Sequence, residues 1–186
     1  MNLIKQEKNI GGKKMQTGNF ISIINKIIVE IKKFSTNLYT INPPVKGGFI
    51  EQFEKEFQVE LPLDYKYLLN QTNGFDLMGN EIYGITWANY GEDLASVYKY
   101  EHYEVIVPQF KYLVPFCSDG GGNFYCFDTR IKTNNGNSNP IIFWCSNYEY
   151  TETDSPEITH DCLCDFINEC ILGWTLEDYN YDGSKK

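Results

Sequence analysis

Apolar residues recur along the chain with two periods, and the changes of period divide it into elements. Phe20, Ile23, Ile24, Ile27, Ile28, Ile31 and Phe34 fall three and four apart, which places them on one side of a helix, with Lys26, Glu30 and Lys33 on the wet side. Residues 40–48, with Pro43-Pro44 and Gly47-Gly48, break that pattern and read as a linker. A second helical stretch follows, in which Ile50, Phe53 and Phe57 are in phase and Glu51, Lys55 and Glu56 point elsewhere. Proline lacks an N–H that a first-turn residue could not use, so Pro62 predicts a third helix from near Leu61, burying Tyr65, Leu68 and Leu69. Asn73-Gly74 supplies residues that accept the left-handed conformation ending many helices.

Beyond Gly74, β-branched and aromatic residues take over. Residues 81–87 predict a strand, and Leu94, Val97 and Tyr98, extended by residues 101–103, predict a further helix. Residues 112–116 and 123–128 predict two strands around the glycine-rich turn at 118–122, with Pro115 at an edge or beside a bulge. A polar loop at 129–139 is expected to be mobile, residues 140–145 to form a third strand, and His160 to Trp174 a last helix with Leu163, Phe166, Ile167, Cys170 and Ile171 on one side. The order predicts a single α+β domain over residues 19–176, an antiparallel twisted sheet flanked by helices. A flexible lead-in at 1–18 precedes it, and a polar tail at 177–186 is expected to fray.

Composition narrows the function more than the fold. At 186 residues, 42% hydrophobic and 16% aromatic, the chain can fill one core and is not a disordered segment. Asp and Glu number 25 against 16 Lys and Arg, a formal charge of −9. That balance disfavours a nucleic-acid backbone, where cationic side chains must displace counterions, and favours a basic protein partner. Residues 1–7 break early into charge and read as no secretory leader, while Asn25, Lys26, Glu30, Lys32 and Lys33 interrupt the apolar run at 20–34, so it reads as no membrane span. A cytoplasmic protein with six reduced cysteines, mostly core residues, is the expectation. Asn70-Gln71-Thr72 then stands as an unused glycosylation sequon.

The candidate chemistry is sparse. Asp119-Gly120-Gly121-Gly122-Asn123 lacks the lysine and the strand-to-helix setting of a phosphate loop and reads as a tight hairpin. No cysteine pair has C-x-x-C spacing, and neither His102 nor His160 has the partners of a helical metal site. His160-Asp161-Cys162 are adjacent, and adjacent side chains diverge, so they form no nucleophile–base pair by proximity. The acids Glu92, Asp93, Glu152, Asp154 and Asp161 are not placed around a common pocket. No catalytic, cofactor or metal residue is therefore expected, and no cofactor. What stands out instead is a set of residue types that dominate protein interfaces: Trp87, Tyr90, Trp144, Tyr148 and Tyr150, with Asp76, Glu92, Asp93, Glu149 and Asp154 nearby in sequence.

The Leu61-Pro62-x-Asp64-Tyr65 helix start, the Asn73-Gly74 stop, the segment Ser118-Asp119-Gly120-Gly121-Gly122-Asn123 leading into a strand that ends in Asp128, the strand from Pro140 and the helix start at Asp165-Phe166-Ile167 occur in an order and spacing that resemble the SUKH superfamily, Smi/Knr-like. The resemblance covers about residues 45–172; the long helix at Phe20 and the extended 129–139 loop depart from the usual pattern. It implies an immunity protein of the bacterial polymorphic-toxin type, which binds a cognate toxin, often a basic nuclease, and blocks it without turnover. The candidate partner surface is then Trp87, Tyr90, Glu92, Asp93, Asp119, Tyr148, Tyr150 and Asp154. No nucleic-acid or membrane partner is implied, and a monomer is favoured. The alternative the resemblance offers is a regulatory protein-interaction scaffold like the fungal cell-wall regulators. A cysteine–histidine enzyme is a third class, and it would require a thiol of lowered pKa.

Overall fold

A computed structural model of the chain describes residues 20–85, 93–151 and 154–186. The predicted lead-in at 1–18 and the residues Thr86, Trp87, Tyr90 and Glu92 lie outside the described residues.

The first helix, α1 (Phe20–Ile31), buries Ile24, Ile27 and Ile31, as its period requires. It ends earlier than the apolar pattern suggests, yet Phe34 remains buried in the turn that follows. The stretch read as a linker contains an edge strand, β1 (Tyr39–Ile41), which three residues are too few to reveal by alternation. Helices α2 (Phe49–Phe57) and α3 (Leu63–Gln71) then form a corner. Glu54 holds it: the carboxylate accepts the Leu61 N–H at 2.8 Å and pairs with Lys66 at 2.8 Å, so one side chain spans the break between the helices. Pro62 precedes α3 as its cap at φ −57°, so the helix starts at Leu63, two positions later than predicted.

Gly74 has the left-handed φ, +76°, expected for the Asn73-Gly74 pair, but it does not end the helix. α3 stops at Thr72 in extended conformation, and Gly74 opens the next strand, where a Cβ would lie 2.4 Å from the Ile82 carbonyl oxygen. The absent side chain is what lets β2 (Phe75–Leu77) and β3 (Asn80–Ile82) approach as a hairpin. The strand predicted at 81–87 is therefore shorter, and β2 before it carries no sequence signal of its own.

After α4 (Leu94–Lys99) and a π-helical extension (Tyr100–Glu104) come β4 (Leu113–Ser118), β5 (Phe124–Asp128) and β6 (Ile141–Trp144), as predicted, with a bulge between Pro115 and Cys117. The region from His160 differs from the helix its spacing suggests. Residues Glu157–His160 form an edge strand, β7, and the helix begins with α5 (Leu163–Phe166), continuing through a π-helical stretch (Ile167–Gly173) into α6 (Trp174–Asp178). Among the described residues, seven strands are antiparallel neighbours in chain order, β1 to β7, in one α+β domain.

Strand register sorts the core. Val114 pairs with Phe127 and Cys117 with Tyr125, and this face meets α3 and α5 through Tyr65, Phe127, Phe116 and Phe166, whose ring centroids lie 4.2–5.2 Å apart in successive pairs. Pro115, Cys126 and Ile142 share the opposite face, which is covered by α4 and the segment after it: Cys126 Sγ donates to Gln109 Oε1 at 3.6 Å. Strands buried on both faces explain why β4 and β5 read as continuous apolar runs.

Two segments expected to be loose are pinned. In the 129–139 loop Ser138 and Asn139 are fully buried, and Asn139 Nδ2 donates to the carbonyls of Asp128 and Ile131 at 3.0 and 2.6 Å. The tail at 177–186 folds back through a Tyr179–Lys185 bridge, with the Tyr181 ring 4.9 Å from Phe34 and its hydroxyl on Glu30. Both depend on contacts distant in sequence, which a polar composition does not disclose.

Candidate partner interface

The β4–β5 turn is built by one carboxylate. Asp119 Oδ1 accepts the N–H groups of Gly121 and Asn123 at 2.7 and 2.9 Å, and Oδ2 accepts Asn123 Nδ2 at 2.7 Å. These hydrogen bonds favour the ionised form, and the Asp119 pKa falls below its ordinary value although partial burial acts against them. The turn is thus held open by its own acid, and no phosphate is needed to organise its N–H groups. Asn123 Oδ1 in turn accepts the Ser146 N–H at 3.1 Å, fastening this turn to the loop after β6.

That loop carries a ladder of rings. Phe110 packs edge-on to Trp144 at 5.5 Å, Tyr150 stacks on Trp144 at 4.4 Å, and Tyr148 meets Tyr150 edge-on at 4.8 Å. Along it exposure rises from buried Trp144 through half-buried Tyr150 to Tyr148, 48% exposed. The Tyr150 hydroxyl accepts the Cys145 N–H at 3.0 Å, so this ring is tied down, while Tyr148 donates to Asp154 Oδ2 at 3.1 Å. Asp154 also accepts from the Thr151 hydroxyl at 3.0 Å, and these bonds lower its pKa.

Of the residues singled out by sequence, the structure therefore brings Tyr148, Tyr150 and Asp154 together in one loop and links that loop to the Asp119 turn. Asp93 serves its own helix, because its side chain accepts the Ser96 N–H at 2.7 Å and caps α4. Trp87, Tyr90 and Glu92 lie outside the described residues. A second exposed group, absent from the sequence-derived candidates, is Tyr100, Tyr103 and Ile106, of which Ile106 is wholly exposed. The phase of α4 holds the clue, since with Leu94, Val97 and Tyr98 turned inward a helical continuation places Tyr100 and Tyr103 outside. Between this ridge and the β4–β5 turn lies an open groove of ≈ 600 Å³ reached by Tyr100, Glu104, Gly122 and Phe124.

Cys162, Cys170 and the histidines sit in surroundings that disfavour a thiolate nucleophile. His160 Nε2 lies 3.7 Å from Cys170 Sγ and 3.4 Å from Glu169 Oε2. Burial, with the Glu169 carboxylate adding to it, pushes the Cys170 thiol up to about 12, so it is held protonated and is a poor nucleophile. Burial likewise raises Cys162 to about 12. His102 is buried between the carbonyls of Tyr98 and Phe110, stacked on Tyr98 at 3.8 Å, and burial lowers its pKa. Among the described residues no group of three or more His, Cys, Asp or Glu is arranged to hold a metal, and no helix is long and apolar enough to cross a membrane.

A family model described as SMI1 / KNR4 family (SUKH-1) matches residues 44–169, a span that runs from the α2–α3 corner through both loops to the last helix. No curated protein matches the chain.

Proposed function

The chain belongs to the SMI1 / KNR4 family (SUKH-1), and from that premise we propose that it is an immunity protein that binds and neutralises a cognate polymorphic toxin. The toxin is basic, of the kind that is often a nuclease, and it is met in the cytoplasm. Inhibition is by occlusion: the protein contributes a rigid surface and an acidic field and turns nothing over. The observation that carries this reading is the paired loops inside the matched span, where a tyrosine ladder ending in exposed Tyr148 is presented with carboxylates by a fold whose Cys162 and Cys170 thiols are kept protonated. A net charge of −9 has the sign that speeds encounter with a basic partner.

The test is a binding measurement with the C-terminal domain encoded by the neighbouring upstream frame. The expected result is a saturable one-to-one complex, a loss of toxin activity on titration, and an association rate that falls steeply with salt. Absence of a complex with that domain, together with capture of several unrelated host proteins, would instead favour the regulatory-scaffold reading. Alanine at Tyr148, Tyr150 and Glu92 together is expected to weaken toxin binding; unchanged affinity would move the contact surface elsewhere.

A further inference from the structure

The groove between α4 and the β4–β5 turn is lined by two carboxylates, Glu101 and Glu104, within walls formed by Val97, Tyr100 and Phe124. Glu101 is buried, and its Oε2 accepts Gln109 Nε2 at 3.3 Å. Lys99 also reaches the groove, but its ammonium pairs with Glu56 at 2.9 Å and sits 5.7 Å from the centre of the Phe57 ring. Glu104, exposed on the rim, therefore brings a carboxylate to a space with apolar walls, where an ion is desolvated more than at open surface. Such a setting strengthens attraction for an incoming cation, and the half-exposed Tyr100 ring offers it a π face. A volume of ≈ 600 Å³ exceeds what one side chain needs, so entry is not sterically barred.

We propose that this groove is an anchor pocket for an arginine side chain projecting from the protein partner. The inference rests on the reading of the chain as a binder of a basic protein. Arginine suits the site because a planar guanidinium can lie on the Tyr100 ring while its edge donates to the Glu104 carboxylate, as a compact ammonium cannot. Tyr103 and Ile106, on the outer side, then supply an apolar rim around the entering chain.

The experiment uses the full chain, labelled with ¹⁵N, titrated with N-acetyl-arginine amide and, separately, with its neutral citrulline counterpart. Saturable shifts are expected at the amides of Tyr100, Glu101, Gly122 and Phe124, with citrulline about fivefold weaker and Glu104→Gln weakening the arginine response by a similar factor. Equal responses to arginine and citrulline, or shifts confined to other parts of the protein, would overturn the proposal. Tyr100→Ala, at a half-exposed ring, gives a second variant if the first perturbs folding. With the upstream toxin domain, equal binding by the wild type, Glu104→Gln and Tyr100→Ala would reject the anchor pocket while leaving the immunity reading intact. If the toxin fails to bind but the arginine shifts persist, the immunity reading falls and the cation site stands.

Discussion

The α2–α3 corner and the β4–β5 end of the sheet both carry polar residues and positive-φ glycines, yet they use them in opposite ways. At the corner the polar groups turn inward: Asp64, Thr72 and Asn73 are all buried, Asn73 Oδ1 accepts the Ile85 N–H at 2.8 Å, and the Tyr65 hydroxyl donates to the Tyr83 carbonyl at 2.6 Å. At the sheet end Asp119 spends its oxygens on its own exposed turn and leaves the neighbouring rings and acids open. The first arrangement makes a residue diagnostic of the fold, because each buried polar group has one set of partners. The second makes a residue available to another molecule, and for that reason leaves a weaker pattern in the sequence.

The two glycines separate these roles most sharply. Gly74 at φ +76° faces the Ile82 oxygen and the Gly84 nitrogen, which a Cβ would approach to 2.4 and 2.6 Å. Gly74→Ala must therefore spread the β2–β3 hairpin as well as bear the left-handed penalty, and a loss of about 4 kcal/mol or more is expected. Urea denaturation followed by circular dichroism measures it; a loss under about 1 kcal/mol would mean that the corner yields easily.

Asp64 supplies the next largest effect. Its Oδ1 accepts the Tyr65 N–H at 2.8 Å while Oδ2, fully buried, has no hydrogen-bond partner among the described residues. Burial raises its pKa to about 6 from 3.8, the neighbouring Ser138 hydroxyl and the Tyr65 amide pulling the other way. The sign follows from proton uptake. Below pH 3.8 both folded and unfolded states are protonated; between there and about 6 the unfolded state ionises first, so stability falls as pH rises, and above that range the penalty is constant at about 3 kcal/mol. His102 acts oppositely, since its lowered pKa costs stability as pH falls below 6.5. The comparison of wild type with Asp64→Asn cancels the histidine. The difference in unfolding free energy between the two is expected to change by about 3 kcal/mol from pH 3.5 to 7, and a pH-independent difference would show that Asp64 is not held neutral.

Much of this fold was legible because periodicity is a local property. α1, the corner, α4 and the β4–β5–β6 run follow directly from residue spacing and from Pro62 and Pro115. What stayed hidden depends on partners far along the chain or on elements too short to show a period. β1 and β2 have three residues each. β7 carries one apolar residue, Ile158, which is itself exposed at the edge, so its alternation was masked by the helix pattern that follows. The 129–139 loop is ordered from outside, with the Thr133 hydroxyl on the Asp161 carbonyl and the Asp64 N–H on the Asn137 carbonyl. At the sheet end, Tyr148, Tyr150 and Asp154 lie close in sequence and in space because they share a loop. Tyr103 is less legible, because the same ring that reads as core on a helix reads as surface once the helix phase is known.

For the exposed side of the comparison the expectation reverses between stability and binding. Tyr148→Ala removes a ring whose contacts are Tyr150 and Asp154 at the surface, so unfolding should change by less than about 0.5 kcal/mol. Affinity for the toxin domain should fall at least about tenfold, the minimum for an aromatic residue at the centre of an interface. Calorimetric titration alongside thermal unfolding checks both; a stability loss without an affinity loss would place Tyr148 with the corner residues.

The smallest effect belongs to Gly120→Ala, the counterpart of Gly74→Ala. Its φ, +73°, is nearly the same, but nothing lies within 4 Å of the added Cβ, and Asp119 continues to bind the Gly121 and Asn123 N–H groups. Only the left-handed penalty remains, about 1 kcal/mol. The contrast between two alanines at one backbone conformation isolates close packing from conformational preference, because the dihedral term is common to both. If Gly120→Ala proved as damaging as Gly74→Ala, the packing at the corner would contribute nothing beyond φ, and the inward-turned polar residues there would lose their place as the reason the corner is rigid.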